Sequence, residues 1–552
     1  MRLSADAVNV ALQGKYRLTQ LASVFQQAIE PYFALAANSK AVKVDPYDFS
    51  FTGSIVNKPI LQTFLPALTR LDPVALNGRF SSTGGWNMNI NSPYIIFADN
   101  RIENMQLQAG TSDSAIGIKA NIQQLTSGKS IALYGTSLTA SIANNTVDFL
   151  FNIKDKLTKD KYRFGATFTQ PQTGDYVFSL KPQNLLLNYD VWVVPGDNQI
   201  SILKTDINAR NFVLTKSDQK LSINSVSQQT NSPMEVRFDN FKVATLANFV
   251  ITDTLPVDGT LNGQVLLNNL TTQPTFTSDL TISDVSVKKD TIGSVNVQVN
   301  NTVENTFAAD VKISGHGNDI ELAGNYYVKP DNNSSFDMTL DIRQILLQTL
   351  EGASMGAISA ASGKLTGKFA INGTVKTPSV NGNIDFKAAA FNLGMLNSYF
   401  RIDDESIQVN DEGIRFNTFT IKDSSNNSAI LDGMVYYNPG FTDYRFDLSL
   451  KADNFRALNT SAGQNKVYYG QVFFNSNLRV KGTQVSPVVD GSITINEKTK
   501  LTIVLPQKEP GLQAREGIVE FVDMDAIPND SLFMARYDSI NKSDVLGMAT
   551  TL

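Results

Sequence analysis

Two stretches of this chain read alike at a fixed separation, and that separation restricts the fold more than any single motif does. Leu322-Ala-Gly-Asn-Tyr-Tyr-Val-Lys-Pro330 recurs as Leu431-Asp-Gly-Met-Val-Tyr-Tyr-Asn-Pro439, an offset of 109 that also carries Gly373 to Gly482 and Pro378 to Pro487. A fainter third copy begins near Phe238, passes through Gly259-Thr-Leu-Asn-Gly-Gln-Val265 and ends at Gln273-Pro274, with Pro274 lying 104 before Pro378. Self-similarity at a fixed period marks a chain that grows by stacking units rather than by closing around one core. No earlier copy aligns. The chain is therefore expected to divide into residues 1–230, with unresolved repeats, and a repeat-bearing region, residues 231–552.

Within each unit the local signal is strict alternation. Phe336, Met338 and Leu340 interleave with Asp337, Thr339 and Asp341, and Val295, Val297 and Val299 interleave with Asn296, Gln298 and Asn300. The pattern returns as Phe446, Leu448 and Leu450 against Asp447, Ser449 and Lys451, and as Val472, Phe474, Leu478 and Val480 against Asn475, Asn477, Arg479 and Lys481. A period of two puts every apolar residue of a segment on one face of a strand. Turn chemistry at Asp331-Asn-Asn-Ser334, Asn372-Gly373 and Asn438-Pro-Gly440 separates these segments, which predicts antiparallel neighbours joined by short loops. Three segments carry apolar residues at three-to-four spacing and are expected to be short helical plugs: Leu18–Ile29, Ile55–Leu68 and Asp341–Leu350. In the second copy, Asp453–Thr460 reads as a shortened version of the last.

Composition agrees with an all-β reading and removes several functions. Hydrophobic residues are 42% and charged residues 18%, and the polar remainder is rich in Asn, Ser and Thr. A net charge of −5 leaves no basic excess for holding phosphates, so no nucleic-acid partner is expected. The absence of cysteine excludes disulfides, thiolate metal sites and Cys nucleophiles together. The first ten residues lack a basic region followed by an apolar run, and no stretch approaches the ~18 apolar residues of a membrane span. The chain opens without a capping element and stops at Gly547–Leu552 soon after a well-patterned region, as expected of a fragment open at both ends.

The candidate chemical motifs carry little. Gly352-Ala-Ser-Met-Gly356 matches a nucleophile elbow, but the segment before it reads as helix and the only histidine, His316, lies upstream of Ser354. His316 itself sits between Gly315 and Gly317 and reads as a loop residue. Asp403-Asp-Glu405 and Asp523-Met-Asp525 lack a calcium-loop pattern and read as solvated turns. Trp86 and Trp192 read as buried anchors. No enzyme, cofactor or metal is expected.

What remains is the dry face. A long meander without visible breaks must turn its apolar faces toward a shared interior, either packed shut or left as a groove. At about ten residues per strand, ~50 strands spaced about 4.8 Å apart would make a body on the order of 200 Å long. An apolar floor suits acyl chains, since each methylene buried contributes about 0.8 kcal/mol, and a lipid sliding along like rungs gains ahead what it loses behind. Residues expected to line such a groove are Phe336, Met338, Leu340, Leu365, Phe369, Ile371, Phe446, Leu448, Leu450, Val472, Phe474, Leu478 and Val480. Alternation alone does not choose between an open groove and a filled core.

The C-terminal half resembles TamB, the translocation and assembly module family of the AsmA-like group, in its Bacteroidetes-type form. The resemblance rests on Phe416-Asn-Thr-Phe-Thr-Ile-Lys-Asp-Ser424 leading to Ala429-Ile-Leu-Asp-Gly433, on Ala452-Asp-Asn-Phe-Arg-Ala-Leu-Asn-Thr460 and on Tyr468-Tyr-Gly470. It continues through Gly482-Thr-Gln-Val-Ser-Pro487, Gly491, Thr499-Lys-Leu501 and Arg515-Glu-Gly-Ile-Val-Glu-Phe521. The family implies an elongated, curved antiparallel β-meander (a β-taco) whose apolar groove spans the periplasm. It further implies an N-terminal inner-membrane anchor, contact with phospholipid acyl chains, and an outer-membrane barrel partner of the TamA type. Its roles would be phospholipid movement between the two membranes and outer-membrane protein assembly or secretion. Neither the anchor helix nor the aromatic-rich terminal strands is expected among these residues, so membrane attachment and partner docking are not placed on them. A chaperone that templates outer-membrane strands by β-augmentation is the alternative function. An extracellular β-solenoid adhesin or lyase would need short regular rungs and an exposed acidic or aromatic cluster, which the sequence lacks.

Overall fold

The computed structural model describes residues 1–35, 44–112, 114–128, 131–183, 185–245, 257–288, 290–330 and 333–504. The segments Arg515–Phe521, Asp523–Asp525 and Gly547–Leu552, and part of the turn at Asp331–Ser334, lie outside the described residues. The period-two segments form strands, most of which pair antiparallel with the next in sequence, giving two long curved sheets that do not close into a barrel. The first has 16 strands and runs from Arg2–Ser4 to Ile207–Arg210; the second has 18 and runs from Phe212–Lys216 to Lys500–Ile503. The described residues hold 34 strands, and the rungs are longer than expected, up to 17 residues in Ile358–Thr374 and Tyr444–Thr460.

The two sheets exchange at a single residue. Ile207–Arg210 pairs back onto Gln199–Ile202, Phe212–Lys216 pairs forward onto Gln219–Ser225, and Asn211 between them takes a left-handed turn with φ 49°. Asn tolerates that conformation because its short polar side chain bonds locally. The changeover falls upstream of the division expected at residue 230.

The 109-residue period is six strands. Asn318–Tyr327 and Ser428–Tyr437 are six apart, as are Thr275–Val287, Pro378–Leu393 and Pro487–Ile495, which follow or begin at Pro274, Pro378 and Pro487. An even number of strands returns the chain in the same direction, so equivalent residues face the same side. Gly373 pairs with Pro378 and Gly482 with Pro487, at φ values of 98° and 97° that favour glycine at the head of the same turn.

Two of the expected helical segments are helical in part and one is largely strand. Leu21–Ile29 is an α-helix preceded by a 3-10 turn at Leu18–Gln20, and Pro59–Phe64 is a short helix with Pro at its first position. Asp341–Leu350 instead continues the strand Ser335–Leu346, and only Leu347–Thr349 and Leu350–Ala353 turn helical. Asp453–Thr460 holds no helix at all and belongs to the strand Tyr444–Thr460.

The error has one physical cause. A β-bulge adds a residue, so two inward positions that would lie two apart become three apart, and three-residue spacing mimics a helical face. Register shifts fall between Ile342 and Ile345, between Ala452 and Phe455, and likewise between Phe238 and Phe241, Ile282 and Val285, and Phe416 and Phe419. Four of these bulges hold a residue at positive φ: Asn240 at 48°, Asp284 at 53°, Thr418 at 49° and Asn454 at 47°. Recurring at matching depth, they bend strand after strand and set the curve of the sheet.

Candidate functional site

The register of the second sheet lays apolar side chains in unbroken rows across it. One row passes from Phe241 through Leu261, Ile282, Val295, Ile313 and Ile320 to Ile342. It goes on through Gly367, Ile384, Ile407, Phe416, Gly433, Leu448 and Val480 to Val489. A neighbouring row joins Leu322, Leu340, Phe369, Gly382, Val409, Ile414, Val435, Phe446 and Gly482. Every step is apolar or glycine. The first sheet has its own row, from Leu12 through Phe51, Gly78, Met88, Ala109, Ile118, Ala140, Phe149 and Ala166 to Leu180.

The pairing and pleat place all thirteen residues expected to line a groove on this one face. Met338 pairs with Ile371, Leu340 with Phe369, Leu448 with Val480, Leu450 with Leu478, and Phe455 with Phe474. Phe336 faces Gly373, Leu365 faces Ile345 and Val472 faces Leu458. Apart from Phe369, which is buried, the thirteen are half-buried.

Glycines in these rows stand opposite phenylalanines. The pairs Phe51–Gly78, Phe238–Gly263, Phe336–Gly373, Phe369–Gly382, Phe416–Gly433 and Phe446–Gly482 recur across both sheets. A Cβ on Gly382 would lie 2.6 Å from Phe369 Cδ1, and one on Gly78 would lie 2.7 Å from Phe51 Cε1. In these two pairs the aromatic side chain covers its partner's bare backbone and keeps the floor level.

The opposite face is polar and laced with ion pairs. Arg343 reaches Asp319, Asp341 and Glu321, Lys312 reaches Asp310 and Glu321, and Lys422 reaches Asp403. The Arg343 guanidinium, with Lys312 assisting, holds the Glu321 carboxyl below its usual range, and the Lys422 ammonium does the same for Asp403. These pairs are solvent-exposed, so they favour one face over the other without adding much stability.

The groove is not equally deep along its length. The Leu21–Ile29 helix closes one region, setting Val24 and Ala28 on Phe49, Phe51 and Phe80, while Trp86 Nε1 donates to the Ala28 carbonyl at 3.1 Å. Leu347 fills a second with Ala361, Ala389, Ile402 and Phe419. A third surrounds Trp192 where the two sheets meet, joining Leu185, Val194, Phe212, Leu214 and Phe241. Trp192 is thus a buried anchor as expected, while Trp86 is half-buried and stacks on Phe80 at 5.6 Å.

The acidic triplet and a buried aspartate take places that their sequence does not announce. Asp403-Asp-Glu405 is not a turn but part of the strand Ser398–Asn410, where Asp404 pairs with Lys387 and Glu405 with Phe386 in the ladder. Asp403 and Asp404 pair with Lys422 and Lys387, whereas Glu405 stands opposite Phe386 on the apolar face, half-buried and without a hydrogen bond or ion pair among the described residues. Asp423 is 1% exposed and accepts from the N–H groups of Ser425, Asn427 and Arg456 and from the Asn427 side chain. Burial opposes its charge, yet these donors outweigh burial and hold its carboxyl below the ordinary range.

The remaining chemical candidates take up plain structural places. Ser354 Oγ donates to the Glu351 carbonyl at 2.7 Å and accepts from Ile358 N–H at 3.2 Å. His316 is exposed in a turn at φ 50°. Among the described residues no group of acidic or His side chains could hold a metal, and no helix is long and apolar enough to cross a membrane.

A long antiparallel meander in two curved sheets, apolar on one face, charged on the other and not closed into a barrel, defines a β-groove protein. The sequence profile of the TamB C-terminal domain matches residues 220–416 and 417–541, more than half of the 552 residues, and the chain belongs to the TamB family of the translocation and assembly module. That family serves transport or assembly in the Gram-negative envelope, in association with a TamA-type outer-membrane partner, and is not a known enzyme family. No curated protein and no solved structure matches the chain.

Proposed function

We propose that this chain is a segment of a bridge between the inner and outer membranes that conducts phospholipids along its apolar face, anchored in the inner membrane in the full-length protein. The observation that carries the reading is the row from Phe241 to Val489, which crosses 15 consecutive strands without a polar side chain. A packed core would bury such a row, whereas Ile342, Ile384, Leu448 and Val480 in it remain half-buried. Half-exposed apolar surface of this extent is unfavourable in water and is satisfied by acyl chains. Like rungs along the half-buried stretches let a chain advance with little change in contact, so conduction there needs no deep site. Outer-membrane protein assembly or secretion would draw on the same body through the TamA-type partner.

Mass spectrometry of the folded protein purified from a Gram-negative host tests the reading: phospholipid should be retained through purification. A protein free of lipid that resists unfolding would overturn it. One feature supports the strand-templating alternative. Every residue of Pro487–Ile495 is exposed, including Val488, Val489, Ile493 and Ile495, which suits β-augmentation by an incoming strand. Crosslinks of client strands to that segment, with none on the apolar face, would favour it.

A further inference from the structure

The apolar face belongs to two sheets, and one hairpin stands where they join. Leu186–Leu187 and Asp190–Val191 form this hairpin, which carries Trp192 and Val194 into the interior. Trp192 is 1% exposed, Val194 2% and Phe241 0%, so this is the most tightly filled point described on either face. The packing involves both floors. Phe164, Phe178, Leu180 and Ile200 come from the first sheet, and Leu221, Ile223, Phe238 and Leu261 from the second. The Trp192 and Phe241 rings lie 5.4 Å apart. An acyl chain moving between the two sheets meets this indole.

We propose that the Trp192 hairpin is a gate, dividing the groove into two lipid-binding compartments in series and opening when lipid displaces it. The proposal rests on the lipid-conducting reading above. Two observations distinguish a gate from a fixed plug. First, the indole Nε1 is buried and meets no acceptor among the described residues. A buried donor left unsatisfied is unfavourable, and that cost is carried only while the hairpin is closed. An ester carbonyl or phosphate oxygen of a lipid at the junction would accept that proton, giving lipid a differential preference for the open state. Second, the hairpin hangs between the two sheets, with Leu186 paired to Arg163 of the first and Val193 bridged to Thr215 of the second. Val193 and Thr215 exchange two backbone hydrogen bonds of 2.8 and 2.9 Å, Tyr189 N–H donates to the Lys161 carbonyl, and Lys216 pairs with Asp190. Its base is held separately: Asn198, 1% exposed, bonds both backbone groups of Leu180 and the Pro195 carbonyl. Pro195 and Gly196 are therefore placed to act as a hinge beside a fixed point.

The cysteine-free sequence makes the gate testable. Val193 and Thr215 form a hydrogen-bonded antiparallel pair, whose Cα atoms stand about 5.5 Å apart, within the span of a disulfide. In the full chain, Val193→Cys with Thr215→Cys locks the hairpin when oxidised, and Trp86→Phe leaves Trp192 as the only tryptophan. The probe is phospholipid carrying brominated acyl chains, which quench an indole that they touch. Quenching of Trp192 in the reduced protein, lost on oxidation and restored by reductant, is the expected result, with bound phospholipid per protein persisting in the locked state. Equal quenching in the oxidised and reduced forms overturns the gate, as does unquenched Trp192 in reduced, lipid-loaded protein. Failure to bind lipid in either form overturns the conduction reading itself.

Discussion

The ring of Phe369 lies over the bare backbone of Gly382, its register partner on the next strand, in the space where a Cβ would come within 2.6 Å of the ring. The arrangement recurs among the Phe–Gly pairs of the apolar faces, which also include Phe49 with Gly14. It explains why glycine, a poor strand former, recurs in a chain that is otherwise built from strands.

Gly382→Ala should therefore destabilise the protein by about 1–3 kcal/mol, since the new methyl would also lie 2.1 Å from the Lys368 carbonyl oxygen. Gly463→Ala is the control, because nothing lies within 4 Å of its added methyl. Thermal melting of the two variants against the parent protein decides the point.

The apolar face should tolerate charge where it is open and reject it where it is filled. Leu448→Asp is expected to keep the fold and lower bound lipid, since Leu448 is half-buried. Phe455→Asp should unfold its region, because Phe455 is 6% exposed and stacks on Phe400 at 5.6 Å, and an unpaired charge there costs several kcal/mol. Circular dichroism paired with lipid quantification separates the two outcomes; unfolding by Leu448→Asp would mean a packed core.

Asp423 should make the rim of the groove acid-sensitive at the end of its strand. Its folded pKa lies below that of the unfolded chain, so its stabilisation is complete above the unfolded carboxylate value of about 4 and is lost as pH falls through the folded pKa. Measured against the intrinsic rate, which itself slows in acid, the exchange protection of the amides of Ser425, Asn427 and Arg456 should fall as pH drops, and Asp423→Asn should lower it already at neutral pH.

Glu405 is expected to lower stability where it stands. Replacing this unpaired, half-buried carboxylate with leucine should stabilise the protein by on the order of 1 kcal/mol, read from chemical denaturation. A loss of stability on Glu405→Leu would mean that the carboxylate has a structural role.

Much of this architecture is legible from alternation, because a period of two names both the element and its face. The repeat added the spacing, and its meaning as six strands follows from the turn shared by Gly373 and Gly482. What alternation could not reveal was the bulges. Ile342 with Ile345, and Ala452 with Phe455, are three apart in sequence and adjacent on one face, so a strand reads as a helix. Glu405 was obscured in the same way, since two acidic neighbours on the charged face made the whole triplet resemble a solvated turn. The Trp192 junction depends on packing between two sheets, and no local pattern in Leu185–Val194 announces it.

The central claim is that lipid occupies one face of this sheet and not the other. A photoreactive phenylalanine analogue placed at Leu448 or, separately, at the adjoining Asp447 on the polar face tests it inside a Gram-negative envelope. The account predicts phospholipid adducts at position 448 and none at 447. Adducts at neither position, or equally at both, would contradict it.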